Sequence, residues 1–118
     1  MNVTVWRRCT FDAAHQLSMH NGVCSRLHGH TYTVEVGVVC PIDETTGMGI
    51  DLIELKTFLY QEVIARFDHR YLNDHIAGQP TAELIACTVL DAANRVFPGH
   101  QTLVRIYESP DGWVEVSR

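Results

Sequence analysis

The stretch CSRLHGHTYTVEV, Cys24 to Val36, sets two histidines one residue apart, shortly after a cysteine and where a strand begins. On a strand, residues i and i+2 point to one face, so His28 and His30 present two imidazoles to the same side. His15 stands just past an earlier strand-like run, at the end that faces this pair if the two runs form a hairpin. Three converging imidazoles suit a catalytic zinc ion, which takes nitrogen ligands and keeps a fourth position for water or substrate. A single histidine in such a place reads as a hydrogen-bonded surface residue. An HxH pair with a third histidine opposite reads as a metal centre.

Cys24 has two possible uses that its spacing does not separate. As a fourth ligand it would close the ion into a structural site; beside the ion, its thiol pKa lowered by the metal and Arg26, it would be a reactive thiolate. The chain has enough apolar pattern to fold without a metal staple, which favours the second use. Asp68 and His69, in RFDHRYLND, form a further candidate pair in which a carboxylate orients an imidazole for acid–base work. The plain alternative is that they finish a helix. Glu108, in RIYES, is an ordinary exposed carboxylate unless it faces a pocket, where it would need a donor-rich partner. His20, His75 and His100 lie in turn-like segments without matching partners.

These groups need elements to place them. NVTVWRRCTF alternates Val3, Val5, Arg7, Cys9 and Phe11 against polar neighbours and predicts a strand. HTYTVEVGVVC alternates Tyr32, Val34, Val36, Val38 and Cys40 and predicts a second. The connection from Asp12 to Gly29 is long for a hairpin, as functional loops often are. DLIELKTFLYQEVIARF predicts a helix, with Asp51 as N-cap, Glu54 as its capping-box partner, and a stripe of Leu52, Leu55, Leu59, Val63 and Phe67. A second helix starts at Pro80–Thr81, carries Ile85, Val89, Ala93 and Val96, and ends at FPGH. TLVRIYES and WVEVSR, joined through PDG, predict a closing hairpin. The fold class is thus α+β in the order ββααββ: an antiparallel sheet with two helices on one face. Free sheet edges invite assembly, so a homo-oligomer is expected.

Composition bounds the rest. A length of 118 residues, without repeat or linker, predicts one domain over 1–118. Nine basic and fourteen acidic residues leave a net charge of −5, which disfavours nucleic acid as a partner. No apolar run reaches membrane-spanning length and the first residues lack a signal-peptide core, so a soluble cytoplasmic protein without a membrane partner is expected. Of the four cysteines, Cys9, Cys40 and Cys87 read as small buried hydrophobes, and no disulfide framework is expected.

Taken in order, FDAAH, CSRLHGH, FDHRYLND, PTAE and RIYES resemble the 6-pyruvoyltetrahydropterin synthase superfamily over Phe11 to Ser109. The resemblance implies the tunnelling fold, in which ββααββ subunits close a barrel as trimers and stack into hexamers. It implies zinc on His15, His28 and His30, Cys24 as the catalytic cysteine rather than a ligand, and Asp68 and His69 as a charge-relay pair. It also places the active site between subunits, with Glu108 anchoring the amino-pyrimidine edge of a pterin triphosphate substrate and Thr81 near the ring. The three residues between Cys24 and HGH resemble the queuosine-pathway branch, which converts 7,8-dihydroneopterin triphosphate to 6-carboxy-7,8-dihydropterin, acetaldehyde and triphosphate. The alternatives are the branch that eliminates triphosphate to a 6-pyruvoyl product and a non-catalytic pterin-binding barrel. A zinc hydrolase acting on another small molecule, and a structural-zinc interaction module, are the rivals outside pterin chemistry. Arg7, Arg8 and Arg26 are candidate partners for the triphosphate.

Overall fold

In the computed structural model, which describes residues 1–118, strands β1 (Asn2–His15) and β2 (His28–Pro41) pair antiparallel along their full lengths. The register runs from Asn2 opposite Pro41 to His15 opposite His28. Both strands are therefore longer than the alternating apolar runs, and the connection shrinks to 16–27. Its FDAAH arm, expected in the loop, is strand.

Strand β3 (Arg70–Tyr71) runs parallel to β1 beside Ala13 and Ala14, β4 (Gln101–Ser109) pairs antiparallel with β2, and β5 (Gly112–Ser117) with β4. The order is β3-β1-β2-β4-β5. The four expected strands pair antiparallel with one another, and the two-residue β3, parallel to β1, makes the sheet mixed. A pair of residues leaves no periodic signal to read in a sequence.

Helix α1 (Leu52–Leu59) continues through a π-helical turn (Tyr60–Ile64) into α2 (Ala65–Phe67). A physical reason lies in the stripe itself. Leu55, Leu59, Val63 and Phe67 are spaced by four, which drifts roughly 40° per step on an α-helix, and one wider turn takes up the drift. All four are buried, whereas Leu52 is exposed and Phe58 takes a core place instead. Asp51 caps α1 by accepting from the Ile53 N–H at 2.8 Å; Glu54 does not bond back, so the capping box is half formed.

Helix α3 (Ala82–Val96) starts at Thr81, whose Oγ1 accepts from the Leu84 N–H at 3.2 Å. Ile85, Val89 and Ala93 are buried, while Val96 lies exposed in the last turn. Helix α1 lies against β1, and α3 against β4 and β5. The core forms between these helices and the sheet face carrying Phe11, Tyr32, Val34, Val36, Val38, Val104 and Ile106. Each such side chain contributes about 1.5–3 kcal/mol of apolar burial.

Among the cysteines, Cys40 is buried and Cys9 half-buried, with burial pushing the Cys9 thiol up to about 11. Cys87 is exposed, against expectation: it sits on the outer side of α3, nearly half a turn from the stripe.

The sheet face without helices is polar yet ordered. Glu35 is only 7% exposed there, held by Arg8 at 2.5 Å and by the Tyr107 hydroxyl, which donates at 2.9 Å. That hydrogen bond raises the Tyr107 pKa. Trp6 lies across Gly37, and the Arg105 guanidinium stacks 4.2 Å above the Trp6 ring. No helix is long and apolar enough to cross a membrane.

Candidate metal centre and substrate site

The antiparallel register sets His15 directly opposite His28 and Ala13 opposite His30. Strand alternation then puts all three imidazoles on the helix-covered face, in line with the buried Tyr32. One ring nitrogen from each lies within 4.8 Å of the others. His15 is fully buried; His28 and His30 are partly open.

Hydrogen bonding settles which nitrogens are free. His15 Nδ1 donates to the Pro80 carbonyl at 2.8 Å, and His28 Nδ1 donates to the Arg26 carbonyl at 2.7 Å. Because a carbonyl only accepts, both rings carry a proton on Nδ1, which in the neutral imidazole leaves the lone pair on Nε2. Those two Nε2 atoms stand 2.9 Å apart. His30 Nε2 is buried without any hydrogen-bond partner, and its nearest ionic neighbour is Glu108 Oε2 at 3.8 Å. Burial depresses the His30 pKa, the two neighbouring imidazoles add to that, and the Glu108 carboxylate opposes it. Facing lone pairs and an orphaned nitrogen are what a trio of metal ligands looks like when its outer nitrogens are oriented by backbone. The residues fit a divalent metal ion.

The Tyr32 hydroxyl lies 3.2 Å from His15 Nδ1, and burial first, then the Glu108 carboxylate, raises its pKa. Sequence reasoning did not single it out, although its i+2 spacing from His30 was the available signal. The Pro80 carbonyl left no signal at all.

Cys24 lies in a 3₁₀ turn (Val23–Ser25) and is half-buried, outside the three-histidine set. Its loop is tied to the centre because Arg26, two residues on, supplies the carbonyl that orients His28. Glu108 sits where β4 bulges between Tyr107 and Ser109. Bulges re-aim side chains, and this one leaves Glu108 beside His30 and on the wall of a hollow of about 270 Å³ with Ala82 and Trp113. Glu108 is therefore no ordinary surface carboxylate. Thr81 borders the same helix start; its hydroxyl oxygen is engaged in capping, which leaves its O–H free to donate.

Asp68 and His69 form a separate group. His69 Nδ1 is 3.0 Å from Asp68 Oδ2, and Asp68 Oδ1 accepts from the Asp12 N–H at 3.0 Å. That backbone donor and the His69 ring hold the Asp68 carboxyl below its ordinary range. His69 has φ 58°, a left-handed conformation uncommon outside glycine, and its N–H donates to the Asp12 carbonyl at 2.6 Å. Such a conformation persists where neighbours over-determine it. The His69 ring is 78% exposed and lies outside the three-histidine ligand set, although His69 and His30 border one hollow of about 620 Å³.

The candidate cations separate as well. Arg7 donates to the Leu52 carbonyl and Arg8 binds Glu35, each more than 20 Å along β1 from His15 by strand rise (~3.3 Å per residue). The Arg26 backbone adjoins the centre through its carbonyl, and Arg8 shares the wall of a hollow with Glu108. At the sheet's other end, a hollow of about 450 Å³ beside Cys40 and His100 holds no convergent ligand set, whereas the larger hollows, of about 640 and 620 Å³, border Glu108 and His30.

Comparison with known proteins follows this geometry. The family model described as 6-pyruvoyl tetrahydropterin synthase matches residues 4–118. A Synechocystis sp. protein named 6-carboxy-5,6,7,8-tetrahydropterin synthase is 40% identical over 90 residues, covering 72% of this chain and 70% of its own. The Drosophila melanogaster 6-pyruvoyl tetrahydrobiopterin synthase is 34% identical over 122 residues, covering 88% and 73%. Among solved structures, Caenorhabditis elegans 6-pyruvoyl tetrahydropterin synthase superposes with a TM-score of 0.86 at 26% identity, covering all of this chain and 96% of that one.

Proposed function

The chain belongs to the 6-pyruvoyl tetrahydropterin synthase family and has its tunnelling fold, and from that premise we propose a zinc-dependent lyase acting on 7,8-dihydroneopterin triphosphate. Its products are a 6-carboxypterin, acetaldehyde and triphosphate. The observation that carries this reading is the trio of His15, His28 and His30, with Glu108 at 3.8 Å from the orphaned His30 nitrogen. A carboxylate so close to the three imidazoles supports a ring anchor next to a metal-binding centre. The Synechocystis relative's name supports the 6-carboxy product, as does the short Cys24-to-HGH spacing.

The ring of the product is set at the tetrahydro level, rather than the 7,8-dihydro level expected from the sequence. The relative's name carries that level. Electron balance requires it too: the side-chain carbon is oxidised to the acid while the ring C=N is reduced, and no external oxidant is needed.

His15, His28 and His30 would hold the ion, and the chemistry zinc would supply there is Lewis-acid polarisation of the substrate's side-chain hydroxyls. Glu108 accepts the paired N–H donors of the amino-pyrimidine edge and so orients the ring, with the Thr81 hydroxyl near it. The Cys24 thiolate takes a proton from the side chain, and the Asp68–His69 pair returns one. Within one chain His69 is not among the three clustered ligands, and its ring is mostly exposed. The outer edge of β1 is unpaired except near Ala13, and β5 has a free edge, so copies can close a barrel as a trimer or stacked hexamer and complete the site from neighbours.

The Drosophila relative supports a second reading, triphosphate elimination to a 6-pyruvoyl product. Zinc-loaded protein and a Cys24→Ala variant are incubated with 7,8-dihydroneopterin triphosphate, and products are identified by mass spectrometry. A 6-carboxy product that vanishes in the variant supports the proposal. A 6-pyruvoyl product selects the second reading, and no turnover by wild type leaves a pterin-binding barrel.

A further inference from the structure

Asn73 uses its side-chain amide as a strand would use its backbone. The Gln16 N–H donates to Asn73 Oδ1 at 2.9 Å, and Asn73 Nδ2 donates to the Gln16 carbonyl at 2.8 Å. Both residues are half-buried. The paired bonds extend a ladder that starts at Asp12. There the His69 N–H donates to the Asp12 carbonyl, then Arg70 and Tyr71 run beside Ala13 and Ala14, and then Asn73 takes Gln16. Leu72, fully buried, pins the turn to the core.

Three parts of the site meet at this join. Gln16 follows the metal-ligand candidate His15. The next residue, Leu17, donates its N–H to the Cys24 carbonyl at 3.0 Å. The segment that bears Asn73 also bears Asp68 and His69. We propose that Asn73 is a positioning residue: its amide fastens the end of β1 to the 68–74 segment and fixes where the Cys24 loop leaves the sheet. The inference rests on the reading of His15, Cys24, Asp68 and His69 as working groups, but its test does not depend on turnover. The role needs a donor and an acceptor together. Aspartate, the isostere, lacks the donor and sets a carboxylate oxygen against the Gln16 carbonyl.

The test compares metal-loaded wild type with Asn73→Asp and Asn73→Ala by amide hydrogen exchange and by iodoacetamide labelling of Cys24, both read by mass spectrometry. Exposed Cys87 on α3 is the internal reference. Exchange across 16–24 is expected to rise roughly tenfold, the effect of losing the net worth of one or two hydrogen bonds. Cys24 labelling relative to Cys87 is expected to change about threefold or more, with exchange in α3 and β2 held within about twofold. In turnover, kcat falls while KM stays near wild type. Loop exchange and Cys24 labelling both at wild-type values in the folded Asp variant overturn the proposal. Uniform loosening of the whole chain overturns it too, since Asn73 would then serve only stability. Failure of the Ala variant to fold leaves the isosteric Asp variant to decide. A wild type without turnover rejects the proposed reaction, while exchange and labelling still judge Asn73.

Discussion

His15 and His28 turn their Nε2 atoms to face each other at 2.9 Å, and each ring's Nδ1 donates to a backbone carbonyl. With both rings neutral, the two facing nitrogens bring lone pairs together in a half-buried place. A common cation resolves that repulsion, and the third nitrogen, on His30, has no other partner. The centre's chemistry thus follows from carbonyls that are not themselves part of it.

Metal content is the first consequence. Equilibrium dialysis is expected to find about one zinc ion per chain in wild type and in Cys24→Ala, and a loss of affinity on the order of a hundredfold or more in His28→Ala. Zinc retained at full affinity in His28→Ala would reject the three-histidine centre.

Glu108→Gln keeps the shape of the side chain but loses the charge and one acceptor. Pterin affinity, measured by titration calorimetry, should weaken by ~2 kcal/mol, about thirtyfold, with zinc content unchanged. An unaltered affinity would remove Glu108 from the substrate site.

Asp68 gives a pH prediction. Its folded pKa is depressed below 3.8 by the Asp12 N–H and then by the His69 ring. A depressed carboxyl adds stability that is full above its unfolded pKa and is lost as pH falls through the folded value. Asp68→Asn should therefore cost stability at neutral pH, and the gap from wild type should close only in acid, below about pH 4. Carboxyl ¹³C titration of Asp68 with a midpoint at or above 3.8 would contradict this.

Gly37→Ala probes the open face. A Cβ there would come within 2.8 Å of the Trp6 ring, which must tilt and lose its stack under Arg105. Denaturant unfolding should show a loss of about 1–3 kcal/mol, and Trp6→Ala should relieve most of it in the double variant. Strict additivity of the two changes would show that the ring is not the obstacle.

Much of the fold was legible because burial on a strand or helix repeats at short range. Tyr32, Val34, Val36 and Val38 announce one face of β2, and all are fully buried. Asp51 and Thr81 announce helix starts, and both accept the expected kind of capping bond. The failures have local causes as well. Val96 follows the stripe of α3 but lies in its last turn, beyond the core's cover. The FDAAH arm reads as loop because Asp12, Ala13 and Ala14 lack strand propensity, yet pairing with β2 and β3 makes it strand.

The sequence by itself determined which imidazoles could converge on a metal, while the pterin roles of Glu108 and Thr81 are what the family resemblance implies. HxH spacing on a strand sets two imidazoles on one face through backbone parity, and no distant contact is needed for that. Tertiary structure alone decided that this face is the one under the helices, through the register that sets His15 opposite His28. It also decided which ring nitrogens stay free, because one orienting carbonyl belongs to Pro80, far along the chain from His15. The place of His69 outside the three-ligand set, the bulge that aims Glu108 and the clamp of Asn73 on Gln16 are likewise long-range facts. Alternation is written residue by residue, whereas register and hydrogen-bond partners exist only once remote segments have packed together.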